Sequence, residues 1–590
     1  MSQEKKLVTI TINGKTIVTH DKETILHAAN ENGFKIPTLC HYRKLAKAEE
    51  GAGSHHFNSG SCRVCMVMDV KKDKLVPACV TPCSDGMDIS INDLKVIQNR
   101  RNVLELILSD HPKDCLTCSK SGQCELQELA AEVDLRQLRY EGEQRHEKVD
   151  TSSLSIIRDM NKCIYCKRCV VMCNDVQKVG VLSAAGRGFH STISTPFDLP
   201  LSETNCTFCG QCVSVCPTGA LSEVSNVDEV WKALVSNKYV VVQTAPAIRV
   251  ALGEEFGYPS GTNVTGKMVR ALRQMGFQKV FDTNFAADLT IMEEAAELVD
   301  RIQNNKRLPI LTSCCPGWVK YLEHQFNDLL DIPSSCKSPH EMFGSITKTY
   351  FAEKMGINPK DIVVVSVMPC LAKKYESARP ELGHEDGYSD VDIVITTREL
   401  AKMIKEISID FNNLEDDEFD NPFGESSGAG NIFASSGGVI EAALRTAYEW
   451  ITGDELTQLD FKDLRGLKGS KEATVEIDGK PFTIGVVSGL GNANTLLRKI
   501  RNGDAHYDAI EIMACPGGCI AGGGQPYHHG DQDIIKARMN SIYEIDQQKE
   551  IRQSHKNPQI FKLYDEFLGK PYGEKAHQLL HTHYVKREKM

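Results

Sequence analysis

Residues 6–19, KLVTITINGKTIVT, alternate apolar and polar side chains on both sides of Asn13-Gly14. Period-two alternation gives each strand one core face, and Asn-Gly suits the positive-φ positions of a tight turn. The segment therefore predicts a β-hairpin. Residues 21–34 read as a short helix ending near Gly33. From about residue 226 the texture changes. Apolar runs of strand length, YVVVQT (239–244), LPILTS (308–313), DIVVVSVM (361–368), VDIVITT (391–397) and AIEIM (509–513), alternate with helix-length amphipathic stretches such as 289–304 and 437–451. This pattern predicts an α/β domain with mainly parallel strands. Sites in such sheets gather just past the strand ends.

A chain of 590 residues is long enough for several domains, and 41% apolar content is that of a globular protein. The net charge of 68 − 79 = −11 argues against a nucleic-acid binder that neutralises phosphates. No apolar run approaches the ~20 residues of a membrane span, and MSQEKKLVTITINGK holds no signal-peptide stretch, so a cytoplasmic protein is expected. Twenty-two cysteines change the picture. They fall in tight groups along a long chain, which is the pattern of metal sites rather than of a disulfide scaffold.

Cys40, Cys62, Cys65 and Cys79 match a plant-type 2Fe–2S ferredoxin in kind, with a longer first gap that holds a polar loop, 46–60. His55 and His56 in that loop read as solvated residues, with a ligand role as the alternative. Cys83 reads as a bystander or a fallback ligand. Next come His111, Cys115, Cys118 and Cys124, spaced H-x3-C-x2-C-x5-C. Iron–sulfur groups flank them on both sides, which favours a 4Fe–4S cluster with one histidine ligand; zinc remains the alternative. CIYCKRCVVMC (163–173) and CTFCGQCVSVC (206–216) are an internal repeat of C-x2-C-x2-C-x3-C, the second followed by Pro217 and the first by Asn174. In two-cluster bacterial ferredoxins the fourth cysteine of each run serves the other cluster. The expected sets are Cys163, Cys166, Cys169 with Cys216, and Cys206, Cys209, Cys212 with Cys173.

Cys314 and Cys315, Cys370, and Cys515 and Cys519 each follow a predicted strand. A cubane wants four thiolates, and five cysteines are on offer. Cys336 has no obvious company.

TSCCPGW (312–318), VMPCLAKK (367–374) and EIMACPGGC (511–519) resemble the three signatures of FeFe-hydrogenases, and the N-terminal groups match the larger members in order and spacing. The resemblance implies an H-cluster: a 4Fe–4S cubane held by Cys315, Cys370, Cys515 and Cys519, joined through Cys519 to a two-iron subsite with carbonyl, cyanide and azadithiolate. It implies that Cys314 is no ligand but the proton donor and acceptor beside the dithiolate amine, as suits a tunable thiol. Glu294, Glu297 and Arg301 share a face if their segment is helical. Most such patterns are solvated faces; the resemblance makes this one a proton path, with Ser334 between the glutamates. It also implies pocket roles for Ala245, Pro246, Ala247, Ser338, Pro339, Met368, Phe433 and Met513, and a cyanide-facing ammonium at Lys373. Backbone N–H groups near Ala245 and Ala247 would serve a second cyanide. Ala247 stands where some members have Ser, and His340 where they usually have Gln. KPYGEKAHQLLHTHY (570–584) resembles the terminal segment that wraps the family's catalytic domain; His577 and His581 in it read as surface or packing residues rather than metal ligands.

The expected architecture is a 2Fe–2S ferredoxin-like domain (1–95), a 4Fe–4S domain with one histidine and three cysteine ligands (96–145), a two-cluster 4Fe–4S ferredoxin-like domain (146–225), an α/β catalytic domain with mainly parallel strands (226–535) and a wrapping segment (536–590). The expected cofactors are one 2Fe–2S cluster, three accessory 4Fe–4S clusters and the H-cluster. The expected activity is reversible hydrogen oxidation. No GxGxxG site is evident, so NAD(P) chemistry would sit on flavin- and NAD(P)-binding partner subunits. Ferredoxin and dedicated maturation proteins complete the partners. A stand-alone ferredoxin-dependent hydrogenase is the alternative setting, and a non-catalytic electron carrier or sensor the alternative function.

Overall fold

The computed structural model describes residues 6–42, 60–304, 306–384 and 386–588; His55 and His56 lie outside them. The N-terminal hairpin forms as its alternation predicts. Leu7–Ile12 pairs antiparallel with Lys15–His20, and Asn13 and Gly14 turn the chain at φ of 47° and 82°. The helix after it is shorter than expected, Ile25–Glu31. Thr24 forms a bridge to Pro82 and caps the helix by accepting from the His27 N–H at 3.2 Å, so residues 21–24 belong to the turn. The hairpin joins Asp88–Ser90, Met66–Asp69 and Lys74–Pro77 in a five-stranded sheet. Its inward residues Val8, Ile10, Ile12 and Ile17 share one core with Cys65, Cys79 and Cys83.

The C-terminal half is built on two four-stranded sheets rather than one. In the first, Lys279–Asp282, Tyr239–Thr244, Ile362–Met368 and Ile393–Thr396 run parallel in that order. In the second, Ile310–Leu311, Ala509–Met513 and Lys480–Ser488 run parallel, and Ser470–Ile477 adds an antiparallel edge. The LPILTS run yields only a two-residue strand. The 470–488 hairpin turns on Asp478-Gly479, at φ of 52° and 69°. This is the same two-residue signal as Asn13-Gly14, and sequence reasoning passed it over.

Helix Thr283–Gln303 connects the two sheets. Phe285, Leu289 and Met292 pack in the core of the first sheet, while Ala295 and Leu298 pack with Ile310, Ile484 and Ala509 of the second. A second long helix, Gly438–Thr452, lies against it. There Arg445 is fully buried and donates to Glu441 at 2.8 Å and to both Asp546 oxygens at 2.9 Å. That network ties the helix to Gln532–Gln548. No helix among the described residues is long and apolar enough to cross a membrane.

Candidate metal centres and a line of buried polar groups

Three groups of thiols in the N-terminal half converge. Cys65 Sγ lies 3.2 Å from Cys79 Sγ. Cys40 is hydrogen-bonded to Cys62 and Cys79, which pulls its pKa down, while Cys40 and Cys65 push Cys79 up. Such mutual perturbation marks four sulfurs crowded into one site. Cys83 stands apart: burial raises its pKa to about 11 and Glu23 adds to the shift. In the ferredoxin repeat, Cys169 is raised by burial and then by Cys166, Cys163 and Cys216, whereas Cys212 is raised by burial and then by Cys209, Cys206 and Cys173. The fourth cysteine of each run thus faces the other run's three. The His111 group is looser. Burial lowers the His111 pKa, which keeps the ring neutral and able to ligate; Cys124 is raised by burial and by Cys118, and Cys115 is exposed.

The groups follow one another through the molecule. Cys62 and Cys124 flank one apolar cluster with Ile164. A Cβ on Gly219 would sit 2.7 Å from Cys118 Sγ, so the chain around Cys216 approaches as closely as glycine allows. Cys212 senses Cys216, and Cys515 senses Cys209.

At the strand ends of the two sheets the remaining thiols meet. Cys370 follows Ile362–Met368, Cys515 follows Ala509–Met513, and Cys314 and Cys315 follow Ile310–Leu311. Burial and then Cys315 push Cys370 up to about 12; Cys515 is raised by burial, Cys370, Cys315, Cys209 and Cys519. Cys315 caps helix Pro316–Gln325 and its Sγ accepts from the Ala514 N–H at 3.3 Å. Cys314 points elsewhere. It packs beside Cys519 against an apolar cluster holding Ala247, Phe433 and Met513, and its pKa is raised by burial and then by Glu294.

Glu294, Glu297 and Arg301 lie on helix Thr283–Gln303, and all three are buried. A solvated face is thereby ruled out. Burial, then Glu297, raises Glu294 to about 8; the Ser313 backbone and Ser334 face its carboxyl, and its Oε1 has no partner among the described residues. Ser334 Oγ donates to Glu297 Oε2 at 3.0 Å, and Arg301 donates to Glu297 Oε1 at 2.6 and 3.1 Å. Cys314, Glu294, Ser334, Glu297 and Arg301 thus form a continuous line of polar groups through an apolar interior.

Lys373 is buried and donates to Glu376 at 2.6 Å and to the Cys314 carbonyl at 3.2 Å. Burial works against its charge, but Glu376 more than compensates, and its pKa is raised. Glu376 is shared with His340 at 2.7 Å and falls to about 2, burial being outweighed by Lys373 and His340. Sequence reasoning missed Glu376. A carboxylate three residues after a buried lysine, on the same helix, was the available signal. Ser338 Oγ is buried without a partner among the described residues, beside Pro339 at the start of its helix, and Met368 ends its strand. One expectation needs correction: the Ala245 N–H donates to the Val367 carbonyl at 3.1 Å, because the chain is still leaving the sheet there, so it is not free for a ligand. Ala247 lies beyond that point, its carbonyl accepting from Gln525, with Pro246 between the two.

Five family models match the chain. Three cover the N-terminal part: the 2Fe-2S iron-sulfur cluster binding domain (5–93), the NADH-ubiquinone oxidoreductase-G iron-sulfur binding region (100–139) and the ferredoxin-like domain of NADH-quinone oxidoreductase subunit 3 (154–222). The C-terminal domain of the iron only hydrogenase large subunit matches 238–523, and the iron hydrogenase small subunit matches 532–587. The chain is 55% identical over 592 residues to the NADP-reducing hydrogenase subunit HndD of Solidesulfovibrio fructosivorans, covering 99% of this chain and 100% of that one. It is 40% identical over 584 residues to iron hydrogenase 1 of Clostridium pasteurianum, covering 98% and 100%. Among solved structures, a point variant of the FeFe-hydrogenase HydA1 from Chlamydomonas reinhardtii superposes with a TM-score of 0.56 at 42% identity, covering 62% of this chain and 99% of that one.

Proposed function

The chain belongs to the iron-only hydrogenase family and is a hydrogenase with ferredoxin-like iron–sulfur domains, and from that premise we propose how its residues divide the work and in what assembly. Cys315 raises the pKa of Cys370, Cys515 and Cys519, and four such crowded thiols need a cationic centre to become thiolates together. The residues fit a cubane held by Cys315, Cys370, Cys515 and Cys519, with a two-iron unit beside Cys314. When bound, that H-cluster supplies the metal at which two protons and two electrons combine to hydrogen, and the reverse.

The chain's own part is to hold, to exclude water and to move protons. Cys314 Sγ carries the proton nearest the centre. Glu294, protonated below about pH 8, exchanges with it; Ser334 links Glu294 to Glu297, and Arg301, held by the Ile332 and Pro333 carbonyls, continues the line from Glu297. Lys373 keeps a fixed positive charge for a cyanide, and Glu376 holds the ammonium in place. Ala247, Phe433, Met513 and Met368 supply an apolar wall. The other clusters are one 2Fe–2S (Cys40, Cys62, Cys65, Cys79), one His-ligated 4Fe–4S (His111, Cys115, Cys118, Cys124) and the two 4Fe–4S clusters of the repeat. Once loaded, these sites would form an electron path toward Cys515, with Cys209 as the thiol of the repeat that perturbs it.

The carrying observation is the difference within the adjacent pair: Cys315 raises Cys370, Cys515 and Cys519, whereas Cys314 raises none of them and its own strongest charged neighbour is Glu294. The test is an infrared spectrum of anaerobic, matured protein. Carbonyl and cyanide bands that shift under hydrogen are expected; their absence at full iron loading would overturn the assignment.

For the setting, the relative HndD is by name an NADP-reducing hydrogenase subunit, and two N-terminal modules match models of NADH-oxidoreductase subunits. We therefore read the chain as the cytoplasmic catalytic subunit of a hetero-oligomer with flavin- and NAD(P)-binding partners, exchanging electrons with ferredoxin and receiving its two-iron unit from maturation proteins. Affinity purification from the native cell, followed by hydrogen-dependent reduction of NAD or NADP with and without ferredoxin, tests this. A lone chain active with ferredoxin only would favour the stand-alone setting.

A further inference from the structure

Glu297 is a junction rather than a simple link. Besides Ser334 and Arg301, its Oε2 accepts from the Ser335 N–H at 3.0 Å and the Ser335 hydroxyl at 3.2 Å. Ser335 Oγ lies 2.8 Å from His581 Nδ1, and His581 Nε2 lies 3.0 Å from Glu293 Oε2. One imidazole therefore bridges two carboxylates of a single helix, Glu297 through a hydroxyl and Glu293 directly. Its place is built. The Cys336–His581 bridge, with Lys337 N–H donating to the Leu580 carbonyl and Thr582 N–H to the Ser335 carbonyl at 2.8 and 2.7 Å, pins the C-terminal segment along residues 335–337. His581 is buried, yet its ring stacks at 4.1 Å on exposed His577. The titratable groups facing it are Glu293 and Glu297 on the long helix, Cys336 on the adjoining segment, Tyr564 through Glu293, and Tyr572 and His577 on its own segment. Burial, then the three glutamates, holds the Cys336 thiol protonated, so it does not compete for the proton.

We propose that Ser335 and His581 form a second proton route from Glu297, parallel to Arg301. This rests on the proton line proposed above. A proton on Glu297 passes to Ser335 Oγ as the Ser335 hydroxyl proton passes to His581 Nδ1. The Nε2 proton passes to Glu293 and leaves at the edge beside Tyr572 and His577, and the ring resets by exchanging its tautomer. One proton enters and one leaves; only O–H and N–H bonds change, and no electron moves.

The experiment is a double-mutant cycle in the matured enzyme, Arg301→Met with His581→Gln, read as hydrogen evolution against pH. Parallel routes predict that His581→Gln alone costs less than about threefold, but about tenfold or more in the Arg301→Met background, toward the roughly 10²-fold lower end for a lost general acid–base group. In that background added imidazole should rescue Arg301→Met/His581→Gly. Multiplicative effects, or a Gln as good as His when Arg301 is gone, would overturn the second route and leave His581 a packing residue. Glu297→Gln separates the two readings. If it leaves turnover intact, the whole proton line fails; if it abolishes turnover while the cycle is multiplicative, only the branch fails.

Discussion

Glu294→Gln keeps the shape of the side chain and removes its proton chemistry. Glu294 is buried, its Oε1 without a partner among the described residues, and its pKa stands near 8 because of burial and then Glu297. At pH 7 the acid outnumbers the carboxylate about tenfold, and at pH 9 the ratio is reversed. Hydrogen evolution draws on the acid form and should fall above about pH 8; hydrogen oxidation draws on the carboxylate and should rise through the same window. The folded-state pKa lies above the ordinary 4.5, so ionisation destabilises the fold. The penalty is absent below pH 4.5, grows from there to pH 8, and reaches at most 3.5 × about 1.4, or about 5 kcal/mol, above it. The neutral glutamine escapes this, so the variant should resist alkaline inactivation better than the wild type while losing turnover by about 10²- to 10⁴-fold. The assay pairs dye-linked hydrogen evolution across pH with infrared difference titration of the protonated carboxyl. Turnover within twofold of wild type, or a carboxyl band that titrates near 4.5, would refute the reasoning.

Cys314→Ser should nearly abolish turnover and leave the cubane's electron-paramagnetic signal in place, whereas Cys315→Ser should lose cubane iron; the reverse outcome would exchange the two roles. The crossed ligand sets are read by iron analysis of protein loaded under full iron supply: Cys163→Ala/Cys216→Ala should lose one cluster, about four irons, and Cys206→Ala/Cys216→Ala two clusters, about eight. Arg445→Met leaves Glu441 with Arg465 alone and Asp546 with Arg552 alone, and the lost charge-assisted hydrogen bonds should cost about 1.5–3 kcal/mol, seen as faster thermal inactivation with unchanged cluster spectra.

Most strands, the long helices and the tight grouping of the thiols were legible because they rest on local signals: alternation, apolar runs, and fixed spacing between thiols. What was not legible depends on contacts between distant segments. The strand runs at 239–244 and 509–513 look alike in sequence, and nothing local says that they enter different sheets. Glu294, Glu297 and Arg301 have the composition of a solvated face; only packing of the helix between two sheets buries them. Ser335 and His581 lie 246 residues apart, and neither carries a pattern that announces the other. Glu376 and the Asp478-Gly479 turn are different cases, since their signals were present and went unused.

The proposed exchange of Cys173 and Cys216 between the two ferredoxin runs bears on how the protein is loaded and lost. On that assignment each run supplies three-quarters of one cluster and one-quarter of the other, so neither can close its own site while its twin is unfolded. Under iron starvation the population should divide into chains with both clusters and chains with neither, with few holding one. Oxidative loss of either cluster should loosen the other, and the wire to the active centre should then fail as a unit rather than degrade by steps.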